Sequence, residues 1–271
     1  MLKKLAVILR GHKRTWDYVK AHQFAFFEQL AEHIDYYMVI WDIGSANYEE
    51  LTNDFKNRNL KYLKLVPYES YGGVSQEHHI KFVIPKIFKE EYTTDQKYCA
   101  IIETRPDMAF NIINPDINPI MLINSLGIAG PGNVPGISHD IKVIQDTCFL
   151  YNSHTGILWS NRNIFDKDLF NELQLKFPHH HHNVYYEVAN YLKLRSYNIP
   201  WFTTIMVRPT IINYNDNSKS FYENASDALT KWQNYSTFDE CMNFCNEAKI
   251  HHSEYIEQIP NQPGVAASYK K

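Results

Sequence analysis

Through the first 110 residues, short apolar runs alternate with stretches of helical spacing, and this rhythm restricts the chain to few folds. Residues 5–9 form a buried five-residue run. Trp16, Val19, Gln23, Phe26, Phe27, Leu30 and Ile34 then recur at helical spacing, which predicts a helix over 16–33. A second strand is expected over 35–42, closed by a turn at 43–45. A polar helix near 48–57 and a strand over 60–66 follow. A turn at 71–75 leads into a helix over 75–91, with Ser75 as its N-cap and Pro85 as a kink. A fourth strand opens at Cys99. Strand and helix alternating in this way imply parallel strands joined by right-handed crossovers, the arrangement of a nucleotide-binding α/β half.

The rest of the chain is less regular. Residues 112–119, rich in Asn, Pro and Asp, and 128–136, dense in Gly and Pro, read as loops. The latter segment has neither G-x-G-x-x-G nor a terminal Gly-Lys-Ser/Thr, so it is no phosphate cradle of those types. Residues 146–160 read as two short strands, or a strand and a turn. Helices are expected over 164–175 and 184–194, and a last strand over 200–207. The expected division is a catalytic domain over 1–212, its nucleotide-binding half about 1–110 and its acceptor half about 111–212. A C-terminal helical extension over 213–271 follows, with a helix near 236–248.

Bulk properties exclude some classes. The 271 residues carry a net charge of −3, which gives no electrostatic footprint for a polyanion, so no nucleic-acid partner is expected. The four Cys residues at 99, 148, 241 and 245 lack the density of a disulfide framework and the paired spacing of a structural zinc site. The opening apolar run is too short for a signal peptide or membrane span. A cytoplasmic protein with no transmembrane segment is the expectation.

The chemistry concentrates after the fourth strand. Glu103, Arg105 and Asp107 follow the apolar positions 99–102 at alternate positions, and in extended chain such residues share a face. Pro106 cannot donate to a ladder and biases Arg105 toward extended geometry, so pairing should stop there. Carboxylates at the carboxyl end of a strand lie where open α/β sheets bind ligands. Two acids beside an Arg suit a divalent metal and a phosphate, with Asp107 as the metal ligand and Glu103 assisting. The alternative is a surface ion pair between Arg105 and a neighbouring acid.

Ile102-Glu103-Thr104-Arg105-Pro106-Asp107-Met108 resembles the R-[ST]-R-x-D element of WavE-like capsule and lipopolysaccharide glycosyltransferases of bacteria and viruses. The opening from Ala6 to His12 is similar to their first strand followed by Arg-Gly. Ser75-Gln76 and the helix bearing Glu187, Tyr191 and Leu192 match loosely as well. The resemblance covers residues 4–208. It implies a GT-A-like fold, a Rossmann-like half with a mostly parallel central sheet plus an acceptor-side half. It also implies sugar transfer from a nucleotide-diphosphate donor with Mn²⁺ or Mg²⁺, as in polysaccharide biosynthesis. One departure is plain: Glu103 stands where the family usually has Arg, which points to a second acid near the metal.

Other candidates complete the expected site. Arg10, Gly11, His12 and Arg14 follow the first strand, where an α/β half meets a base or phosphates, and Gly11 permits close approach. Asp42 closes the second strand and could accept from a ribose hydroxyl; it could equally cap its own turn. Gln76 is assigned to the donor by the resemblance. Asp146 and Glu187 are the acids for the acceptor, a glycan or other hydroxyl: Asp146 could orient it, and Glu187 could serve as the general base that takes its proton. Among His179–His182 one side chain could reach the phosphates. Two other functions remain open: a metal-dependent phosphohydrolase or nucleotidyltransferase, and a non-catalytic carbohydrate-binding protein that uses its aromatic residues as platforms.

Overall fold

The computed structural model describes residues 1–13, 15–42, 47–67, 79–112, 127–133, 148–160, 172–173, 175–176 and 181–206, with the backbone alone for 127–133, 181–184 and 195–206. Arg14, Gln76, Asp146, His179, His180 and the expected C-terminal helix lie outside the described residues.

The elements run β1 (Leu2–Gly11), α1 (Trp16–Glu28), β2 (Ala31–Asp42), α2 (Tyr48–Asp54), β3 (Asn59–Pro67), α3 (Ile80–Thr94), β4 (Ala100–Thr104) and β5 (Met108–Ile112). They continue with β6 (Gly127–Asn133), β7 (Cys148–Tyr151), α4 (Ser153–Ser160), α5 (His181–Tyr191) and β8 (Arg195–Met206). The strands form a mixed sheet in the order β3-β2-β1-β4-β7-β6-β8-β5. The first four are mutually parallel; β7 joins β4 antiparallel, and β6 pairs parallel with β8. This is the α/β arrangement expected of the first half, consistent with a Rossmann-like fold.

Alternation along the parallel strands sorts their side chains into two cores. Leu5, Val7 and Leu9 of β1 face Trp16, Phe24 and Phe27 of α1 and Leu51 of α2. Ala6 and Ile8 face the other way, toward Val83, Ile84 and Ile87 of α3, Trp159 of α4 and Tyr185 of α5. Both faces of β1 are therefore covered, which is why it reads as one unbroken apolar run. Crossovers through α1 and α2 lie on one face and the crossover through α3 on the other. The strand order consequently reverses between β1 and β4, the switch point beside which open α/β sheets take their ligands.

The end of β4 behaves differently. Its chain turns at residues 105–107 and resumes as β5, which pairs antiparallel with the second half of β8 (Met108↔Met206). The first half of β8 pairs with β6. Four peptide steps from Thr104 to Met108 reach at most about 14 Å, so β5 begins just beyond the carboxyl end of β4. Helix α1 packs on it, with the Phe26 and Phe110 rings stacked at 4.7 Å.

Several sequence expectations need correction. Helix α1 stops at Glu28 rather than 33, because the N–H of Leu30 bonds the Phe27 carbonyl at 2.9 Å while the Leu30 carbonyl accepts from Leu2 at 2.7 Å. The apolar residues at 30 and 34 thus belong to the turn and to β2. Residues 127–133, read as part of a loop, form β6; the register shift between Pro131 and Asn133 marks the irregularity that a strand Pro needs. Residues 153–160 form a helix, not a strand or turn. It buries Thr155, Gly156 and Trp159 and lacks a clear apolar stripe, and Asn152 Oδ1 accepts from the Thr155 N–H at its start. Strand β5 falls across a boundary read as the beginning of a loop.

Candidate functional site

The switch point holds a buried ion pair. Leu9 and Thr104 are Cα partners across β1 and β4, as are Ile8 and Glu103. Arg10, two residues past Ile8, shares a face with Glu103. Arg10 Nε donates to Glu103 Oε1, and Tyr151 Oη on β7 donates to Oε2 at 2.9 Å. Arg10 is 1% exposed and Glu103 and Tyr151 are 0% exposed, so the pair is fully withdrawn from water. Beneath it, the guanidinium carbon lies 5.5 Å from the centre of the Phe149 ring, close enough for cation–π attraction. Phe149 is the β7 partner of Glu103. Gly156 on α4 keeps Tyr151 in place: a Cβ there would stand 3.1 Å from the Tyr151 ring and 3.3 Å from Ile84.

Arg105 and Asp107 form a second pair one step further along. Arg105 Nε and Nη2 donate to Asp107 Oδ1 and Oδ2, each at 2.9 Å, a bidentate fork. Their side chains are 7% and 1% exposed. The ion pair weighed as a surface alternative is real, but it is buried. Gln23 of α1 braces the turn, its amide donating to the carbonyls of Arg105 at 3.0 Å and Met108 at 2.6 Å. The three charged residues expected as one cluster are therefore divided between two pairs, because β4 ends at Thr104 and the chain then turns.

Around the same pole, the backbone leaves β1 through Gly11 at φ 118°, a conformation that side-chain-bearing residues scarcely adopt. His12 stacks on Trp41 near the end of β2, with ring centres 5.7 Å apart, and Trp41 meets His79 at the head of α3 at 4.9 Å. Asp42 is exposed at the end of β2. Lys13 has a structural role: its ammonium reaches Glu50 at 2.7 Å and Asp17 at 3.1 Å, tying the loop after β1 to α1 and α2. Glu187 is half-buried on α5, two positions after Tyr185, whose ring touches Phe149 at 5.7 Å.

Sequence reading did not single out Tyr151 or Trp41, took His79 as an exposed residue near a helix start although it is fully buried, and took Gln23 only as part of a helical stripe. Tyr151 lies in an apolar run whose pairing with β4 no local signal reveals. Gln23 carried one: a polar residue at a helix position facing the core.

Among the described residues, no three His, Cys, Asp or Glu side chains gather as a metal-binding group. Magnesium and manganese ions that grip phosphates need only one or two carboxylates, with water and phosphate oxygens completing the shell. Asp107 fits that limited demand, since a carboxylate held in a fork keeps lone pairs beyond the two it uses. Glu103 is held in the same way, its two oxygens accepting from Arg10 and Tyr151, and it too keeps lone pairs beyond those two. No protein-family model matches the chain, and no curated protein sequence does either.

Proposed function

We propose that this chain is a GT-A-type glycosyltransferase that moves a sugar from a nucleotide-diphosphate donor to a glycan or other hydroxyl acceptor in the cytoplasm. The observation that carries the reading is the placement of buried charge. Arg10 and Glu103 meet at the carboxyl ends of β1 and β4, the switch point of the sheet, and Arg105 and Asp107 follow at once in the turn after β4. Burial of four charges at one sheet end costs stability and is hard to account for by packing alone. A site for a charged ligand accounts for it. The resemblance of residues 102–108 to the metal element of WavE-like transferases points the same way.

In this reading Arg10 and Arg105 orient the donor's diphosphate, and Gly11 and His12 lie against the nucleoside side. Glu103 holds the Arg10 guanidinium in line and Tyr151 fixes the carboxylate that does so. Asp107 would hold the divalent cation, which when bound neutralises charge on the leaving nucleotide. Fixed cations placed where charge develops contribute most to such a reaction. Asp146 or Glu187 takes the proton of the acceptor hydroxyl.

Thermal unfolding with UDP, GDP or ADP, each with and without Mn²⁺, tests the proposal, since a ligand that binds only the folded form raises the midpoint. One nucleotide is expected to raise it in a metal-dependent way, and Asp107→Asn is expected to abolish the rise. Slow release of nucleotide from the matching sugar donor should accompany it. Glycan binding that survives EDTA and Asp107→Asn, with no nucleotide-induced shift, would establish the carbohydrate-binding alternative instead.

A further inference from the structure

The fork between Arg105 and Asp107 places a cation on the very carboxylate that the metal-dependent reading assigns to a metal. We propose that Arg105 is a built-in competitor for that carboxylate, so that a divalent cation and the donor's pyrophosphate can be taken up only together. The proposal rests on the metal-dependent reading and adds to it a role for Arg105 that precedes chemistry.

The backbone at this point has little freedom. Pro106 fixes its own φ and confines Arg105 to extended geometry, and Gln23 grips the carbonyls on both sides of the turn. The guanidinium, in contrast, sits on a flexible stem. Competition at Asp107 is therefore settled by side-chain rotation, not by movement of the strand.

Electrostatics then links the two ligands. A divalent cation on Asp107 faces the Arg105 charge at close range inside a site that water barely reaches, since the two side chains are 7% and 1% exposed. Repulsion drives Arg105 off the carboxylate, yet a guanidinium left unpaired there has nothing to offset the solvation that burial has already taken from it. A phosphate oxygen pair restores the fork it has lost, because planar guanidinium recognises phosphate in the same bidentate way as carboxylate. A cation alone meets a competitor, and an anion alone meets an Arg already satisfied. Each removes the obstacle to the other, and such coupling is reciprocal by necessity.

Mn²⁺ titration followed by electron paramagnetic resonance, in the absence of any nucleotide, reads the competitor directly and needs no turnover. Arg105→Gln should bind Mn²⁺ at least tenfold more tightly than the wild type. Arg105→Lys should fall between them, since an ammonium holds one carboxylate oxygen at a time; it also keeps a positive charge beside Asp107 should the Gln variant fail to fold. The gain should vanish in Arg105→Gln combined with Asp107→Asn. If both single variants bind no tighter than the wild type while Asp107→Asn weakens binding, the competitor role is wrong and the metal site stands. If the gain survives Asp107→Asn, the ion binds elsewhere and the proposal fails. If no variant binds Mn²⁺, the metal-dependent reading fails and the competitor role with it.

Discussion

Glu103→Gln is the substitution that most directly probes the buried charge at the switch point. It preserves the shape of the side chain and one acceptor for Arg10 but removes the negative charge, leaving a guanidinium that is 1% exposed without its partner in that pair. Breaking a buried ion pair from one side costs about 3–5 kcal/mol, well above the value of the pair itself, because the remaining charge is desolvated. The Phe149 ring under the guanidinium stays and returns only about 0.5–2 kcal/mol. For a protein of this size each kcal/mol lowers the melting temperature by roughly 2–4 °C, so a fall of about 6–20 °C is expected by circular dichroism. Replacing the group by apolar residues (Arg10→Met, Glu103→Leu, Tyr151→Phe) should recover most of that loss, since no charge or hydroxyl is then stranded. The Tyr151 change is needed because its hydroxyl otherwise loses its acceptor, at about 1–3 kcal/mol. The recovered variant should bind no nucleotide. A Glu103→Gln protein within about 1 kcal/mol of the wild type would refute the reasoning, as would an apolar triple variant no more stable than the single one.

Gly11→Ala, at φ 118°, should cost about 1–3 kcal/mol in chemical denaturation; an unchanged midpoint would mean the loop after β1 adapts freely. Gln23→Leu removes the amide from which the carbonyls of Arg105 and Met108 accept, leaving the Arg105 carbonyl with the long bond from the Met108 N–H at 3.4 Å. It should cost about 1–3 kcal/mol, with amide exchange at the 105–108 turn speeding up more than exchange in β1. Alkaline pH should weaken the fold. Burial pushes the hydroxyls of Tyr36, Tyr37 and Tyr98 and the thiol of Cys148 upward, and Asp35, bonded to Tyr98, raises that hydroxyl further. These groups stay protonated in the native protein while the unfolded chain releases their protons from about pH 8.5 for the thiol and 10 for the phenols. Their stabilisation is complete below those values and is lost as pH rises beyond them. Urea midpoints should therefore decline from about pH 9 upward, and a flat profile from pH 8 to 11 would contradict the burial of these groups.

The parallel block was legible because β1, β2 and β4 are buried on both faces over most of their length and read as apolar runs, while α1 carries its large aromatics on one side. What lay beyond depended on partners distant in sequence. Residues 127–133 contain the turn-forming residues of a loop and become a strand through β8, more than sixty positions later. The helix over Ser153–Ser160 buries Thr155 and Gly156 while exposing Ile157, so no apolar stripe announces its period. At the site, Pro106 marked where pairing stops, just past Thr104, but alternation along 103–107 could not show that the chain turns back at once into β5. Nor could it show that Arg10 would claim Glu103 and leave Asp107 to Arg105.

The order in which the ribosome delivers these strands has a consequence of its own. β1 to β4 are all translated by Thr104, so the parallel block can assemble early, with the amino-terminal segment already at its centre. β5 leaves the exit tunnel next, but its partner in β8 follows about a hundred residues after Met108, roughly 5–20 s later at ordinary elongation rates. During that interval the nascent chain carries an unpaired apolar strand, and β4 has an open edge awaiting β7. Slowing translation between the codons for Ile112 and Arg195 should lengthen this exposed phase and increase the chain's dependence on chaperones.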